Sequence, residues 1–412
     1  MTTEMFYQEL LGLQAPWRVV RVVFDKGLGQ VDVWLEHEPG VVWSCPRCGR
    51  SCGLSGHAEE RTWRHLNTCE YATLVHARLP RVNCPEHVGA QVPAPWAEGN
   101  TRFTLAMECH GIDVLKECDL TGAGRLTSLS WDELWGILDR AVTRGAARKE
   151  KRLPEYIGVD EKSFAKRHRY ETLVINLQEG TVEHVANTRR SACLREYFSS
   201  FTREERQGVK AIAMDMWEPY ISQAKTWLPG SDEKVVFDRF HVMSQATKAV
   251  DTIRRQEHKV LAKEGDNRLK GTRYLWLWSE ENLPEKRREA FAKLKGQDLK
   301  VGRAWSIKEN LRRLWEHTKL PEARKHFARW YFWATHSRLQ PMIKAARTLK
   351  KYLWGVLNYF RHPITNACAE GINSKIETIK KMACGFRNRE HFRQAIYFHC
   401  GGLNLYPSVA GA

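Results

Sequence analysis

The chain has 412 residues, 65 Lys/Arg against 48 Asp/Glu for a net charge of +17, and is 42% hydrophobic and 10% aromatic. Length and apolar content exclude wholesale disorder and leave room for roughly two to four packed domains. The apolar runs are too short and too often broken by charge for a membrane span, and the start, MTTEMFYQEL, lacks a basic-then-apolar export pattern, so a cytoplasmic chain is expected.

In chain order, residues 19–24 and 31–35 read as strands separated by Lys26-Gly-Leu-Gly. Cysteine and turn residues dominate from there to about residue 99, so residues 1–99 are expected to form an N-terminal β-rich zinc-binding domain. From 103 to 151 the pattern turns helical. Ser130 with Glu133 makes a capping box ahead of Leu134, Ile137, Leu138 and Val142, and a shorter periodic stretch covers 103–115. With 121–130 as the turn region, residues 100–150 read as a helix-turn-helix and linker that closes on Arg148-Lys-Glu-Lys-Arg152 and Pro154.

An α/β segment follows over 151–240. Tyr156-Ile-Gly-Val-Asp160 is a strand ending on a carboxylate. Residues 170–177 and 181–186 form a hairpin, 192–201 a helix, 209–215 a second strand ending on Asp215, 217–227 a helix, and 234–238 a third strand ending on Asp238. That order opens a mixed-sheet α/β domain. Residues 241–362 are helical until His362-Pro363 breaks the run. In the last part, 363–412, a helix at about 367–383 sets Ile372, Ile376, Ile379 and Ala383 on one face and Glu370, Asn373, Ser374 and Glu377 on the other.

The charge is unevenly placed. Residues 1–240 hold 31 Lys/Arg and 33 Asp/Glu, residues 241–362 hold 28 and 12, and residues 363–412 hold 6 and 3. Nearly all the excess lies in the central helical segment, which also holds seven of the 16 tryptophans. Such a surface points to a polyanionic partner, nucleic acid before membrane.

Two motifs carry metal chemistry. Cys45-Pro-Arg-Cys48-Gly is a zinc knuckle, and Cys84-Pro-Glu-His87 offers a second pair at the same spacing, so together they make a tetrahedral Cys₃His set of structural type, with Cys52 and Cys69 as possible substitutes. With 11 cysteines in all, metal-bound or free thiols fit better than a disulfide framework. Separately, three strands end on Asp160, Asp215 and Asp238, and a polar helix face carries Glu370, with Glu377 two turns further on. Phosphoryl transfer on nucleic acid uses two divalent cations roughly 4 Å apart held by such clustered carboxylates. Glu161, next to Asp160 on a strand, is expected to point to the opposite face.

These residues carry a resemblance. Tyr156-Ile-Gly-Val-Asp160-Glu, Ala213-Met-Asp215-Met-Trp-Glu-Pro-Tyr220, Val236-Phe-Asp238-Arg-Phe-His241-Val and Asn366-Ala-Cys-Ala-Glu370-Gly-Ile-Asn-Ser-Lys-Ile resemble the DDE transposases of bacterial insertion sequences, and more narrowly the insertion-sequence L-three (ISL-three) family. Trp63-Arg-His-Leu66, Pro80-Arg-Val-Asn-Cys84 and Gly385-Phe-Arg-Asn388 extend it over about residues 45–403. The resemblance implies a multidomain α/β protein whose RNase H-like catalytic core, a mixed sheet with flanking helices, is interrupted by a large all-helical insertion and preceded by a zinc-binding domain and a helix-turn-helix. It implies Asp160, Asp215 and Glu370 as catalytic carboxylates binding two Mg²⁺, for which Mn²⁺ can substitute, with Asp238 and His241 as a D-x-x-H signature beside them. It further implies recognition of double-stranded terminal inverted repeats, strand cleavage and transfer to target DNA, a homodimer on synapsed ends, and a nucleoid-associated bacterial protein. A nuclease or resolvase without strand transfer, and a non-enzymatic DNA-binding regulator, are the alternatives.

The basic insertion is expected to lie along DNA, with Arg312, Arg313, Lys350 and Lys351 neutralising phosphates and Trp276, Trp278 and Trp305 as candidates for gripping a frayed base. Trp330, Trp333, Leu349, Leu353 and Phe360 are expected to pack helices together.

Overall fold

The structure is a computed structural model that describes residues 1–165, 169–186 and 192–408. The chain forms two compact units, residues 1–150 with 379–385 and 394–412, and residues 151–378 with 386–393. Among the described residues no helix is long and apolar enough to cross a membrane.

The first unit opens with α1 (Thr3–Leu10) and the strands β1 (Trp17–Asp25), β2 (Gln30–His37), the two-residue β3 (Trp43–Ser44) and β4 (Ser51–Cys52), β5 (Leu54–Arg64), β6 (Ala72–Asn83) and β7 (Val88–Gln91). The main sheet runs β1-β2-β6-β5, with β7 also on β6; β2 and β6 are parallel and the other pairs antiparallel. Alternation along β2 and β6 buries Val31, Val33, Leu35, Val75, Ala77 and Leu79 against Trp17, Trp43 and Trp63. The long β5 and β6 occupy a stretch read from the sequence as turns. β5 buries only Ala58 and Trp63 of its 11 residues, so its hydrophobic period is faint and its ladder to β6 holds it in place.

Three helices follow, α2 (Leu105–Glu117), α3 (Leu120–Thr127) and α4 (Trp131–Arg148). Each begins on a side-chain cap: Thr104, Asp119 and Ser130 accept the backbone N–H three residues on, and the Ser130/Glu133 capping box forms as the sequence predicts. The segment expected to be a turn mostly forms α3, and the turn shrinks to residues 128–130, with Ser128 at φ 59°. Ile112, Leu115, Ala123, Leu134 and Ile137 close the core with Phe398 and Leu405. Buried Glu108 is held there by Arg140 at 2.6 Å and Arg144 at 2.8 Å.

The second unit contains β8 (Tyr156–Ala165), β9 (Arg169–Asn176), β10 (Thr181–Ala186), α5 (Ala192–Ser199), α6 (Arg203–Gln207), β11 (Ala211–Met214), α7 (Glu218–Trp227), α8 (Ser231–Lys234) and β12 (Val235–Phe237). Its sheet runs β10-β9-β8-β11-β12. The first three strands are antiparallel, and β11 is parallel to both β8 and β12. β8 continues past Asp160 to Ala165, which corrects the expectation of a strand ending there. What ends near Asp160 is the parallel ladder to β11, whose last pair is Gly158 with Ala213; further on, β8 pairs with β9.

From α9 (Arg239–Lys263) the chain is helical through α10 (Arg273–Leu277), α11 (Glu285–Lys295), α12 (Lys300–Arg312), α13 (Leu320–Thr335), α14 (Gln340–Lys351) and α15 (Leu353–Leu357), before α16 (Ala367–Met382) and α17 (Arg389–Cys400). α17 lies beyond the last helix read from the sequence, although Phe392, Ala395 and Ile396 are spaced to bury one face of it. One continuous hydrophobic core runs from the sheet into the insertion, from Ile157 and Val235 to Trp276, Phe327 and Leu349.

Two base-gripping candidates are thereby corrected. Trp276 and Trp305 are 0% and 2% exposed, with Phe291 edge-on to both rings at 4.9 and 5.2 Å, so neither offers a face to solvent. Trp278 is half-buried. Trp330 packs inside as expected, its indole N–H donating to Ile307 O at 2.9 Å, whereas Trp333, expected to pack helices, is exposed.

β12 is positioned from behind by the insertion. Phe237, its last residue, packs on α15 where Gly355 leaves room for hydrogen alone: a Cβ there would lie 2.4 Å from Phe237 Cε2. Gly355→Ala is therefore expected to cost about 1–3 kcal/mol in denaturant unfolding. Gly371→Ala in α16, where a Cβ meets nothing within 4 Å, should be neutral or stabilising by up to about 1 kcal/mol.

Candidate functional site

The β3–β4 hairpin builds the first centre. Gly49 at φ 75° turns the chain so that its N–H donates to Cys45 O at 2.9 Å, and Cys45 N–H donates to Arg50 O at 2.8 Å. Cys84 and His87, after β6, bring up the second pair. Cys45 Sγ and Cys84 Sγ each lie 3.7 Å from His87 Nδ1, Cys48 Sγ lies 3.7 Å from Cys84 Sγ, and all four ligand atoms are within 4.8 Å of one another. A tetrahedron with zinc–ligand bonds of about 2.0–2.3 Å has edges of about 3.3–3.8 Å, so the set fits a structural zinc ion. Cys52 instead faces Arg50 O at 3.3 Å, and Cys69 is exposed and outside the group. Burial opposes the thiolate at Cys84, yet backbone N–H groups of Glu86 and His87, with the Cys48 and Cys45 thiols, bring it down to about 7.

The second centre follows from strand register. Gly158 pairs with Ala213, and Met214 with Phe237. Counting on from those pairs sets Asp160, Asp215 and Asp238 in one row across three neighbouring strands, on one face of the sheet. His241 rises from the first turn of α9, its Nε2 3.0 Å from Asp215 Oδ1. Asp215, Asp238 and His241 each offer a ligand atom within 4.8 Å of the others. Asp238 occupies the N-cap position of α9, but its side chain makes no cap hydrogen bond, so the carboxylate is not spent on the helix. Asp215 Oδ1, despite its closeness to His241, is buried without a hydrogen bond. A carboxylate oxygen so placed fits a divalent cation, which takes oxygen ligands first.

Asp160 stands beside this group. Its Oδ2 accepts from Asn373 Nδ2 at 2.7 Å, and its Oδ1 from Glu161 N–H at 2.7 Å. Lys162 holds the same helix, α16, through Asn373 O at 2.9 Å and Glu377 at 2.9 Å. Glu161 points elsewhere and accepts from Tyr220 Oη at 2.9 Å. Burial raises the pKa of Asp160, partly offset by Glu161 N–H and His241. Burial also pushes Asp215 up to about 6; His241 works against it, and Asp160 and Asp238 add to it.

Glu370 lies in the first turn of α16, exposed, and outside the group formed by Asp215, Asp238 and His241. It is one turn before Asn373 and so shares that side of the helix. The sequence reading missed Asn373 and Lys162 as neighbours of Asp160, although the three-residue step from Glu370 to Asn373 on one polar face was a visible signal. On the insertion, Arg313, Lys350 and Lys351 are exposed, and Arg312 is half-buried 3.6 Å from Glu309.

A family profile described as a transposase of ISL3 type matches residues 157–396, and a second, described as the zinc-finger of transposase IS204/IS1001/IS1096/IS1165, matches residues 42–87. The transposase for insertion sequence element IS1001 of Bordetella parapertussis is 27% identical over 392 residues, covering 93% of this chain and 95% of that protein. The transposase for IS1557 of Mycobacterium tuberculosis is 26% identical over 421 residues, covering 94% and 93%.

Elemental analysis should find one zinc per chain, lost in Cys84→Ser and kept in Cys52→Ser. For Asp215 the sign is set by a folded pKa above the usual 3.8. The folded chain holds that proton longer than the unfolded chain, so without metal its stability falls as pH rises from about 4 to about 6 and stays lower above. Asp215→Asn should therefore make the metal-free protein more stable by about 1–3 kcal/mol near pH 8, with no gain below about pH 4, in denaturant titrations.

Proposed function

The chain belongs to the ISL3 family of transposases, and from that premise we propose that it cleaves the ends of an insertion sequence and joins them to target DNA by two-metal phosphoryl transfer at Asp160, Asp215 and Glu370. The observation that carries this reading is the row of Asp160, Asp215 and Asp238 at adjacent strands, with Asp215, Asp238 and His241 each offering a ligand atom within 4.8 Å of the others. A mixed sheet in which two parallel strands extend a three-stranded antiparallel meander supports an RNase H-like core. When bound, two Mg²⁺ ions, or Mn²⁺ in their place, supply charge neutralisation at the scissile phosphate and a lowered pKa for the attacking water.

The protein's own groups set the geometry. Asn373 fixes Asp160, His241 steadies Asp215, and Glu370 supplies the third carboxylate from the neighbouring turn of α16. Asp238 completes the acidic wall at the start of α9. In the first step water attacks the phosphorus at the element's end, the bond to the 3′ oxygen breaks, and a 3′-OH and a 5′-phosphate result. In the second, that 3′-OH attacks a target phosphodiester, one P–O bond forms, and the target's 3′ oxygen leaves. No covalent protein–DNA bond is needed.

Recognition of the terminal inverted repeats is assigned to the zinc-binding domain and to α2–α4, read as a helix-turn-helix with α4 after the tight turn at 128–130. The insertion, with 28 Lys/Arg against 12 Asp/Glu, binds the DNA backbone. Two chains synapse two ends as a homodimer in a bacterial cytoplasm, at the nucleoid.

The test uses duplexes carrying the inverted repeats that flank the coding region. Full-length protein with Mg²⁺ is expected to nick them and to join labelled 3′ ends to a target plasmid. Asp160→Asn, Asp215→Asn and Glu370→Gln should each lower the rate at least about 100-fold, roughly 2.7 kcal/mol of transition-state stabilisation. Undiminished cleavage by Asp215→Asn would sink the assignment, and nicking without joined products would make the protein a nuclease.

A further inference from the structure

Two strands of the acidic site are each followed, two residues after the carboxylate, by an aromatic ring: Asp215-Met-Trp217 and Asp238-Arg-Phe240. Phe240 is 65% exposed, the most exposed Phe, Tyr or Trp among the described residues, while Phe237, Asp238 and Val242 beside it are buried. Its place is set by backbone. Asp238 N–H donates to Met214 O at 3.1 Å, Val242 N–H to Asp238 O at 3.0 Å, and the ring projects from the first turn of the 25-residue α9. The His241 ring meets it edge-on, with centroids 5.6 Å apart, and His241 in turn reaches Asp215. A lone surface ring needs no explanation; one held by helix backbone two residues from a buried carboxylate of the site read above as phosphate-handling lies where a nucleotide's base would follow its phosphate.

We propose that Phe240 is the stacking platform for an unpaired nucleobase adjoining the phosphate on which the acidic site acts. The proposal rests on the transposase reading above and adds to it a requirement on the DNA. A phosphodiester seated at Asp215 and Asp238 has a base on either side. In an intact duplex both faces of each base are covered by neighbours, so a protein ring gains a face only when the base has left the stack. Phe240 therefore favours an end whose terminal pair has opened, and it stabilises that opened state. Arg239, exposed beside it with its guanidinium 5.2 Å from the Trp315 ring, provides positive charge for the same nucleotide's backbone. Trp217, 39% exposed, borders the site on the Asp215 strand. Base stacking is thus assigned to the carboxylate-bearing elements, and not to the buried Trp276 and Trp305.

The experiment uses the full-length chain and a duplex of the flanking inverted repeat with 2-aminopurine at the terminal position, in Ca²⁺ to prevent turnover, followed by cleavage in Mg²⁺. Wild-type protein is expected to raise the probe's emission on binding, because the base leaves the neighbours that quench it in the duplex. Phe240→Ala should bind without that rise and cleave the paired end about 10-fold more slowly, in keeping with the loss of one base–aromatic stack. A substrate with a mismatched terminal pair should restore Phe240→Ala to within about twofold of wild type, a rescue that a merely misfolded variant would not show. An unchanged rise in Phe240→Ala, or a defect equally large on paired and mismatched ends, overturns the proposal. Wild-type cleavage without any rise in emission overturns it while leaving the transposase reading intact, whereas wild-type protein that neither binds nor cleaves removes both.

Discussion

The second unit depends on one constraint: three aspartates placed in a row by the register of β8, β11 and β12. Gathering like charges under partial burial is unfavourable, and Asp215, pushed up to about 6, carries the largest share. The surroundings reduce that cost without removing it. His241 approaches Asp215, Asn373 and Glu161 N–H hold Asp160, and Asp238 sits at the positive end of α9. None of these groups is a fixed cation, so the arrangement stays short of positive charge.

The first unit solves a different problem by the same means. Its β3–β4 hairpin has two residues per strand, too little to persist by backbone pairing alone. Three thiols and one imidazole at tetrahedral spacing replace the missing core with a metal cross-link. One ion at that Cys/His set would secure the fold at this end of the chain.

The zinc ligands were legible because their spacing is dictated by coordination geometry, which is local in sequence. The acidic row was legible as three strands ending on Asp, yet β8 runs on to Ala165 and the shared row depends on register, which a sequence does not display. Asn373 was visible on the polar face of α16, but its partner Asp160 is 213 residues away, so the pairing was not. The tryptophans misled for a physical reason: in a basic, helical segment a ring that packs and a ring that binds look alike. Trp276 and Trp305 are enclosed by α10–α12, while Trp333 faces out. β5 was hidden because strand pairing, rather than alternation, fixes it.

The continuous core between sheet and insertion bears on how such a chain can change over time. A domain inserted into a loop usually brings its own interior and can be gained, lost or traded whole. Here Phe237 rests on Gly355, and the apolar cluster passes without a break from Ile157 to Leu349. Recombination between relatives with crossovers near residues 240 and 362 would join two halves of different interiors. The insertion and the strands that bear the aspartates are thus one heritable piece, and their residues are expected to vary together.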